Sequence, residues 1–101
     1  MEIKDHSEFE EKVLRAEKPV LVDFYASWCG PCKVMAPVVS ELAESGSFSV
    51  YKVDVDNVTE AAGKFGVSSI PTFIAFRNGA EVARIVGAVS KQELMGFMDK
   101  A

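Results

Sequence analysis

The sequence predicts an α/β fold: a central mixed sheet flanked by helices on both faces. Three observations predict it. In the first half of the chain, strand-like apolar runs alternate with helix-like segments, which is the pattern of parallel strands joined by crossovers. At residues 78–79, "NG" separates two strand-like runs and marks a hairpin, so an antiparallel pair joins the sheet. The chain has 101 residues, 49% hydrophobic and 26% charged. That suits one domain over residues 1–101, able to bury roughly 60–70% of its unfolded surface.

The elements follow in order. "EIK" (2–4) is a weak strand. Ser7 and Glu10 have capping-box spacing, and Phe9, Val13 and Leu14 share one face of the helix that follows, which Pro19 stops. "VLVDFYA" (20–26) is β-branched and aromatic throughout, too continuous for a half-exposed strand, and reads as a central buried one. A helix starts at or near Cys29 and runs to about Ser45, ended by Gly46, with a kink expected at Pro37. "SVYKVDVD" (49–56) is the next strand. "NVTEAAGKFG" (57–66) is a short helix with Asn57 and Glu60 as its cap and Gly66 as its stop. "TFIAFR" (72–77) and "EVARIV" (81–86) flank the hairpin. Ser90 and Glu93 form a second capping box, opening a last helix with Leu94, Phe97 and Met98 turned inward.

Charge narrows the function classes. The net charge is −4 and the isoelectric point about 4.9, which argues against nucleic acid or an anionic membrane as the main partner. The apolar runs fall well short of the roughly 20 residues that cross a bilayer. "MEIKDHSEFEEK" (1–12) is acidic and has no apolar signal core, so a cytoplasmic location is expected, with a mature form cut from a leader left open.

Both cysteines, Cys29 and Cys32, lie in "VDFYASWCGPCK" (22–33). A structural zinc site needs four ligands, and the chain adds only His6; a site shared between two chains is disfavoured as well. A purely structural bridge would close a very short loop and so contribute little stability. Redox exchange has a physical basis. Cys29 follows a strand and opens a helix, where free N–H groups and the helix dipole favour a thiolate. Pro31 fits the first turn, where its missing N–H costs nothing. Cys32 lies one turn on, able to attack a sulfur bound to Cys29. Cys29 is then the nucleophile and Cys32 the resolving thiol, with exchange running through a mixed disulfide.

Asp23 interrupts the apolar run. If buried between Val22 and Phe24, its carboxyl should have a raised pKa, and a buried acid near a resolving thiol can carry that thiol's proton. If strand alternation turns it outward, it is an ordinary solvated acid. Lys52, in "YKVDVD", reads alone as a solvated strand lysine, Pro71 as an edge marker, and Trp28, the sole tryptophan, as a core residue.

"FYASWCGPCK" (24–33) resembles the active-site segment of the thioredoxin family. "IPT" (70–72) resembles the family's cis-proline segment, and "DFYA" (23–26), "NG" (78–79) and "VGA" (86–88) occupy matching places, so the resemblance runs over essentially the whole chain. It implies the thioredoxin fold with strand order 1-3-2-4-5. It implies a protein-disulfide reductase and general electron carrier, recharged by a flavin-containing thioredoxin reductase and acting on disulfide-containing client proteins. It also implies a redox-active Cys29–Cys32 disulfide with no cofactor or metal, and a monomer. "GP" between the cysteines favours reduction; related oxidases and isomerases usually carry a histidine there.

The resemblance assigns roles residue by residue. Asp23 assists Cys32 with its proton, and Lys52 balances the charge of that acid. Ile70–Pro71 is cis and lies beside the cysteines, leaving the Ile70 backbone free to pair with an extended substrate. Trp28 is partly exposed and shields the cysteines. Trp28, Gly30, Pro31, Val55, Ile70, Pro71, Val86, Gly87 and Ala88 form a flat apolar docking surface with Lys33 at its rim. Three departures stand out. Tyr25 replaces the more usual Phe or Trp. Ser69 precedes Ile70 where several relatives carry Gly or a bulkier residue, a change expected to bear on partner choice. The connection "AESGSFSV" (43–50) is short, so the second helix should end abruptly.

Two other functions compete. In a redox-insensitive binding module the docking surface matters and the cysteines do not; the intact "WCGPC" (28–32) argues against that as the sole role. An oxidase or isomerase would differ in reduction potential.

Overall fold

Val20–Tyr25 forms the strand on which the structure, a computed structural model of residues 1–101, is organised. Every residue from Val20 to Phe24 is buried, because the strand has neighbours on both edges and helices over both faces. The elements are β1 (Glu2–Ile3), α1 (His6–Phe9), β2 (Val20–Tyr25), α2 (Gly30–Ser45), β3 (Ser49–Asp54), α3 (Thr59–Lys64), β4 (Thr72–Arg77), β5 (Ala80–Val86) and α4 (Lys91–Lys100). They make one five-stranded sheet in the order β1-β3-β2-β4-β5. β1 and β2 run parallel to β3, while β4 is antiparallel to both β2 and β5.

Alternation along β2 sorts the two layers. Val20, Val22 and Phe24 face one side, where they pack with Phe9 and Val13 from the first helical segment, Ala61 and Ala62 of α3, and Ile74 and Phe76 of β4. Leu21 faces the other side, against Met35, Val39 and Leu42 of α2 and Leu94 and Met98 of α4. Burying each such side chain contributes about 1.5–3 kcal/mol. The α2 residues that turn inward are Cys32, Met35, Val39 and Leu42, spaced as one face of a helix requires. Asp23 therefore projects from the same face as Leu21, under α2.

Turn chemistry sets the ends. Asn78 and Gly79 both have positive φ, 51° and 80°, the conformation of a two-residue hairpin turn. Gly46 ends α2 with φ 74°, and the helix stops abruptly, as the short connection predicts. Pro37 lies inside α2. Ser90 and Glu93 form the reciprocal capping box that opens α4, and Phe97 is half-buried against the α4 layer.

Several boundaries differ from the expectation. Asp5, not Ser7, caps α1: its carboxylate accepts the Glu8 N–H at 2.8 Å, while the Glu8 carboxylate accepts the Lys4 N–H at 2.7 Å. After Phe9 the helix widens into a π segment, Glu10–Leu14, and ends well before Pro19. β3 stops at Asp54 because the chain turns there. The Asp54 carboxylate accepts the Asp56 N–H, and its carbonyl accepts from Asn57 and Val58. Val58, buried at 2% exposure, then leads into α3 with no side-chain cap. Anchoring Val58 in the core leaves Asn57 outside the helix start.

Candidate active site

β2 delivers the chain to one end of the sheet, and a short turn carries it into α2. Cys29 has extended backbone angles, φ −88° and ψ 114°, and is the N-cap of α2. Its Sγ accepts the Cys32 N–H at 3.2 Å, and its carbonyl accepts the Lys33 N–H at 3.2 Å. Pro31 lies in the first turn. The geometry joins Cys29 to Cys32 in a disulfide, Cα to Cα 5.3 Å, with each cysteine 5% exposed. On reduction, the same N–H and the helix terminus would stabilise a thiolate on Cys29 more than on Cys32, which lies deeper in the helix.

Hydrogen bonds between loops assemble the surroundings. The Ile70–Pro71 peptide is cis, and the Cys29 Sγ lies 3.9 Å from the Ile70 carbonyl oxygen. The Pro71 carbonyl accepts the Gly87 N–H at 2.8 Å, and the Tyr25 carbonyl accepts the Val55 N–H at 2.9 Å. Val55 and Ile70 thus pack against the Ala26, Cys29 and Cys32 cluster. Val86 pairs with Thr72 in the β4–β5 register. Trp28 is 68% and Val86 55% exposed. Gly30, Pro31 and Ala88 are exposed, Gly87 is half-buried, and Pro71 is buried. Lys33 is exposed one residue beyond Cys32. Trp28 is not a core residue. Its indole N–H donates to Asp56 at 2.8 Å, which fixes the ring outside the core. Asp56 was not singled out from sequence, although an indole N–H in a fixed ring calls for an acceptor.

Behind the cysteines lies the charged group. Asp23 is 1% exposed, and its Oδ1 has no hydrogen-bond partner. Burial pushes its carboxyl up to about 7; Lys52 opposes that rise and Glu2 adds to it. Lys52 is Asp23's register partner in β3, yet it makes no ion pair. Its Nζ instead lies 4.3 Å from the centre of the Tyr25 ring. The Tyr25 hydroxyl donates to the Glu2 carboxylate, 2.8 Å from either oxygen. A cavity of about 90 Å³, lined by Tyr25, Ala26, Ser27, Cys32, Lys33, Ala36 and Lys52, lies between these strands and α2. It has room for a few waters. A larger hollow of about 590 Å³ lies at the opposite end of β2 and β3, among Pro19, Phe48 and Tyr51, away from the cysteines. Glu2 was missed from sequence, since only the β1–β3 register brings it here.

Comparison with known proteins agrees with this geometry. The thioredoxin family model matches residues 1–100. A thioredoxin of Pseudomonas aeruginosa is 46% identical over 93 residues, 90% of this chain and 86% of that protein. A bifunctional thioredoxin reductase/thioredoxin of Mycobacterium leprae is 50% identical over 97 residues, which are 94% of this chain and 21% of that protein. The solved thioredoxin of Schistosoma mansoni superposes with a TM-score of 0.91 at 42% identity, covering 99% of this chain and 93% of its own. The chain belongs to the thioredoxin family, and it is a thiol–disulfide oxidoreductase that reduces protein disulfides by dithiol exchange.

Proposed function

We propose that Cys29 is the attacking thiolate, Cys32 the resolving thiol and Asp23 the carrier of the Cys32 proton. The observation that carries this reading is the Cys29 Sγ at the α2 N-terminus, accepting the Cys32 N–H while Asp23 lies buried on the face beneath α2. The Cys29 thiolate attacks one sulfur of a client disulfide. That bond breaks, the departing client thiolate takes a proton from water, and a mixed disulfide remains. Cys32 then gives its proton to the Asp23 carboxylate, which lies buried on the sheet face beneath α2. Its thiolate attacks the Cys29 sulfur, the second client thiolate leaves, and the Cys29–Cys32 disulfide forms. Two electrons have passed from the dithiol to the client. With its carboxyl near 7, Asp23 can both accept and release a proton at neutral pH. Lys52 acts on the charge of that acid.

Trp28, Gly30, Pro31, Val55, Ile70, Pro71, Val86, Gly87 and Ala88 form the client-docking surface in this reading. Val86 and Trp28 are among the few large apolar side chains left exposed, and the Ile70 backbone offers main-chain pairing that needs no particular client sequence. Electrons come from a thioredoxin reductase, a partner supported by the fusion of both activities in the Mycobacterium leprae relative. The chain serves as an electron-transport protein with no added cofactor, as a monomer, in the cytoplasm, a compartment whose reducing pool suits a disulfide reductase.

The test uses two variants and a disulfide-bonded protein substrate. Cys29→Ser abolishes turnover with a dithiol donor, and Cys32→Ser accumulates a mixed disulfide at Cys29, read by intact-mass spectrometry. If Cys29→Ser reduces the substrate at the wild-type rate, the assignment fails.

A further inference from the structure

Three strands bring five polar side chains to one corner of the sheet. Glu2, Lys52 and Asp23 lie side by side across β1, β3 and β2 in register. Tyr25, two residues beyond Asp23, projects from the same face, and so does its register partner Asp54, a buried carboxylate that accepts the Asp56 N–H. The other elements packed against that face bring Cys32 and Lys33 from α2, Phe73 from β4, and the apolar Leu94 and Met98 from α4. Lys52 is therefore the cation placed by register next to the Asp23 carboxyl. Within a half-buried corner, a close ammonium would hold that carboxyl ionised and lower its pKa by roughly 1–3 units.

The ammonium makes no ion pair with that carboxyl, although its charge still opposes the effect of burial on Asp23. It sits 4.3 Å from the Tyr25 ring centre, within the range where a cation gains from the ring face. The ring in turn is fixed by its hydroxyl, which reaches both Glu2 oxygens. Burial, and after it the hydrogen bond to Glu2, push that hydroxyl well above its ordinary titration range, so it remains a donor at any physiological pH. Ordinary packing would fill the corner with a phenyl ring, but would leave the Glu2 clasp without purpose.

We propose that Tyr25, clasped by Glu2, is a positioning residue that holds the Lys52 ammonium on its ring and short of an ion pair with the Asp23 carboxyl, and so governs that carboxyl's proton exchange. This rests on the relay role given to Asp23 only for its consequence in turnover; the placement of Lys52 stands on the geometry.

The test follows the Asp23 carboxyl carbon by NMR titration of the oxidised full chain. Tyr25→Leu frees Lys52 to approach Asp23 and lowers the midpoint by about one pH unit or more. In the Tyr25→Leu/Lys52→Met double variant the midpoint returns to the wild-type value or above it. An unchanged midpoint in Tyr25→Leu, or a fall that persists in the double variant, overturns the proposal; the second result would assign the effect to water entering the corner. If Tyr25→Leu does not fold, the unaltered protein still decides. The Lys52 ε-methylene protons are shifted upfield by the ring, and their appearance at the ordinary lysine position overturns the proposal. The pH profile of mixed-disulfide resolution is recorded alongside. A carboxyl midpoint that moves as stated while this profile stays fixed removes the relay role from Asp23 and leaves the placement of Lys52 supported.

Discussion

Asp23 costs the fold stability at alkaline pH, and in the proposed mechanism it carries the Cys32 proton. An aspartate ordinarily titrates near 3.8, and burial raises this one to about 7. Between those values the folded chain binds a proton that the unfolded chain has already released, so stability falls as pH rises from about 4 to about 7 and then levels off. The full effect is on the order of 4 kcal/mol at alkaline pH. Asp23→Asn should accordingly be the more stable protein at pH 8 by roughly 2–4 kcal/mol, with the gain shrinking toward zero at pH 4. Urea unfolding at the two pH values checks it, and a variant equally destabilised at both would contradict the burial argument. The chemistry at this residue was half legible in the sequence. The unbroken apolar run around Asp23 predicts a buried strand, but a strand covered on both faces gives no polar side from which to tell which way the carboxyl points. Tyr25 reads in sequence only as a departure from Phe or Trp. Its partner Glu2 is 23 residues away in the chain, so nothing local connects them.

Local signals placed the elements well where a turn depends on its own residues. Asn78 and Gly79 make the hairpin because both adopt positive φ, and Ser90 with Glu93 caps α4 through side chains three residues apart. Ser90→Ala should cost about 1 kcal/mol in denaturant unfolding. Tertiary burial overrode one signal, since Val58, held in the core, starts α3 in place of Asn57. At α1 one local signal displaced another, because the exposed pair Asp5 and Glu8 has the same three-residue spacing as Ser7 and Glu10 and takes the cap. One glycine has a further task. A Cβ on Gly79 would stand 2.2 Å from the Leu14 carbonyl oxygen, whereas one on Gly66 would meet open space. Both have positive φ, so Gly66→Ala pays only the backbone cost of about 1–2 kcal/mol. Gly79→Ala should lose clearly more, because the hairpin must part from the π segment. Equal midpoints for the two variants would contradict that contact.

At the scale of the whole molecule, a mixed sheet with two apolar layers presents a redox pair at one end. The alternation of strands and helices and the single hairpin made the fold class legible. The order β1-β3-β2-β4-β5 was not, because periodicity says which segments are strands and not which strands pair; it came from the family resemblance. The same holds for the site. Cysteine spacing and the strand-to-helix junction point to exchange chemistry, while the approach of Ile70 to Cys29 across a gap of 41 residues required the fold. The central claim is that this pair works as a reductant. Its most direct test is the equilibrium of the Cys29–Cys32 couple against glutathione. The known potentials of thioredoxin, about −270 mV, and protein disulfide isomerase, about −180 mV, serve as the two reference points. The account predicts a potential at the thioredoxin end of that range, and a value at the isomerase end would contradict it.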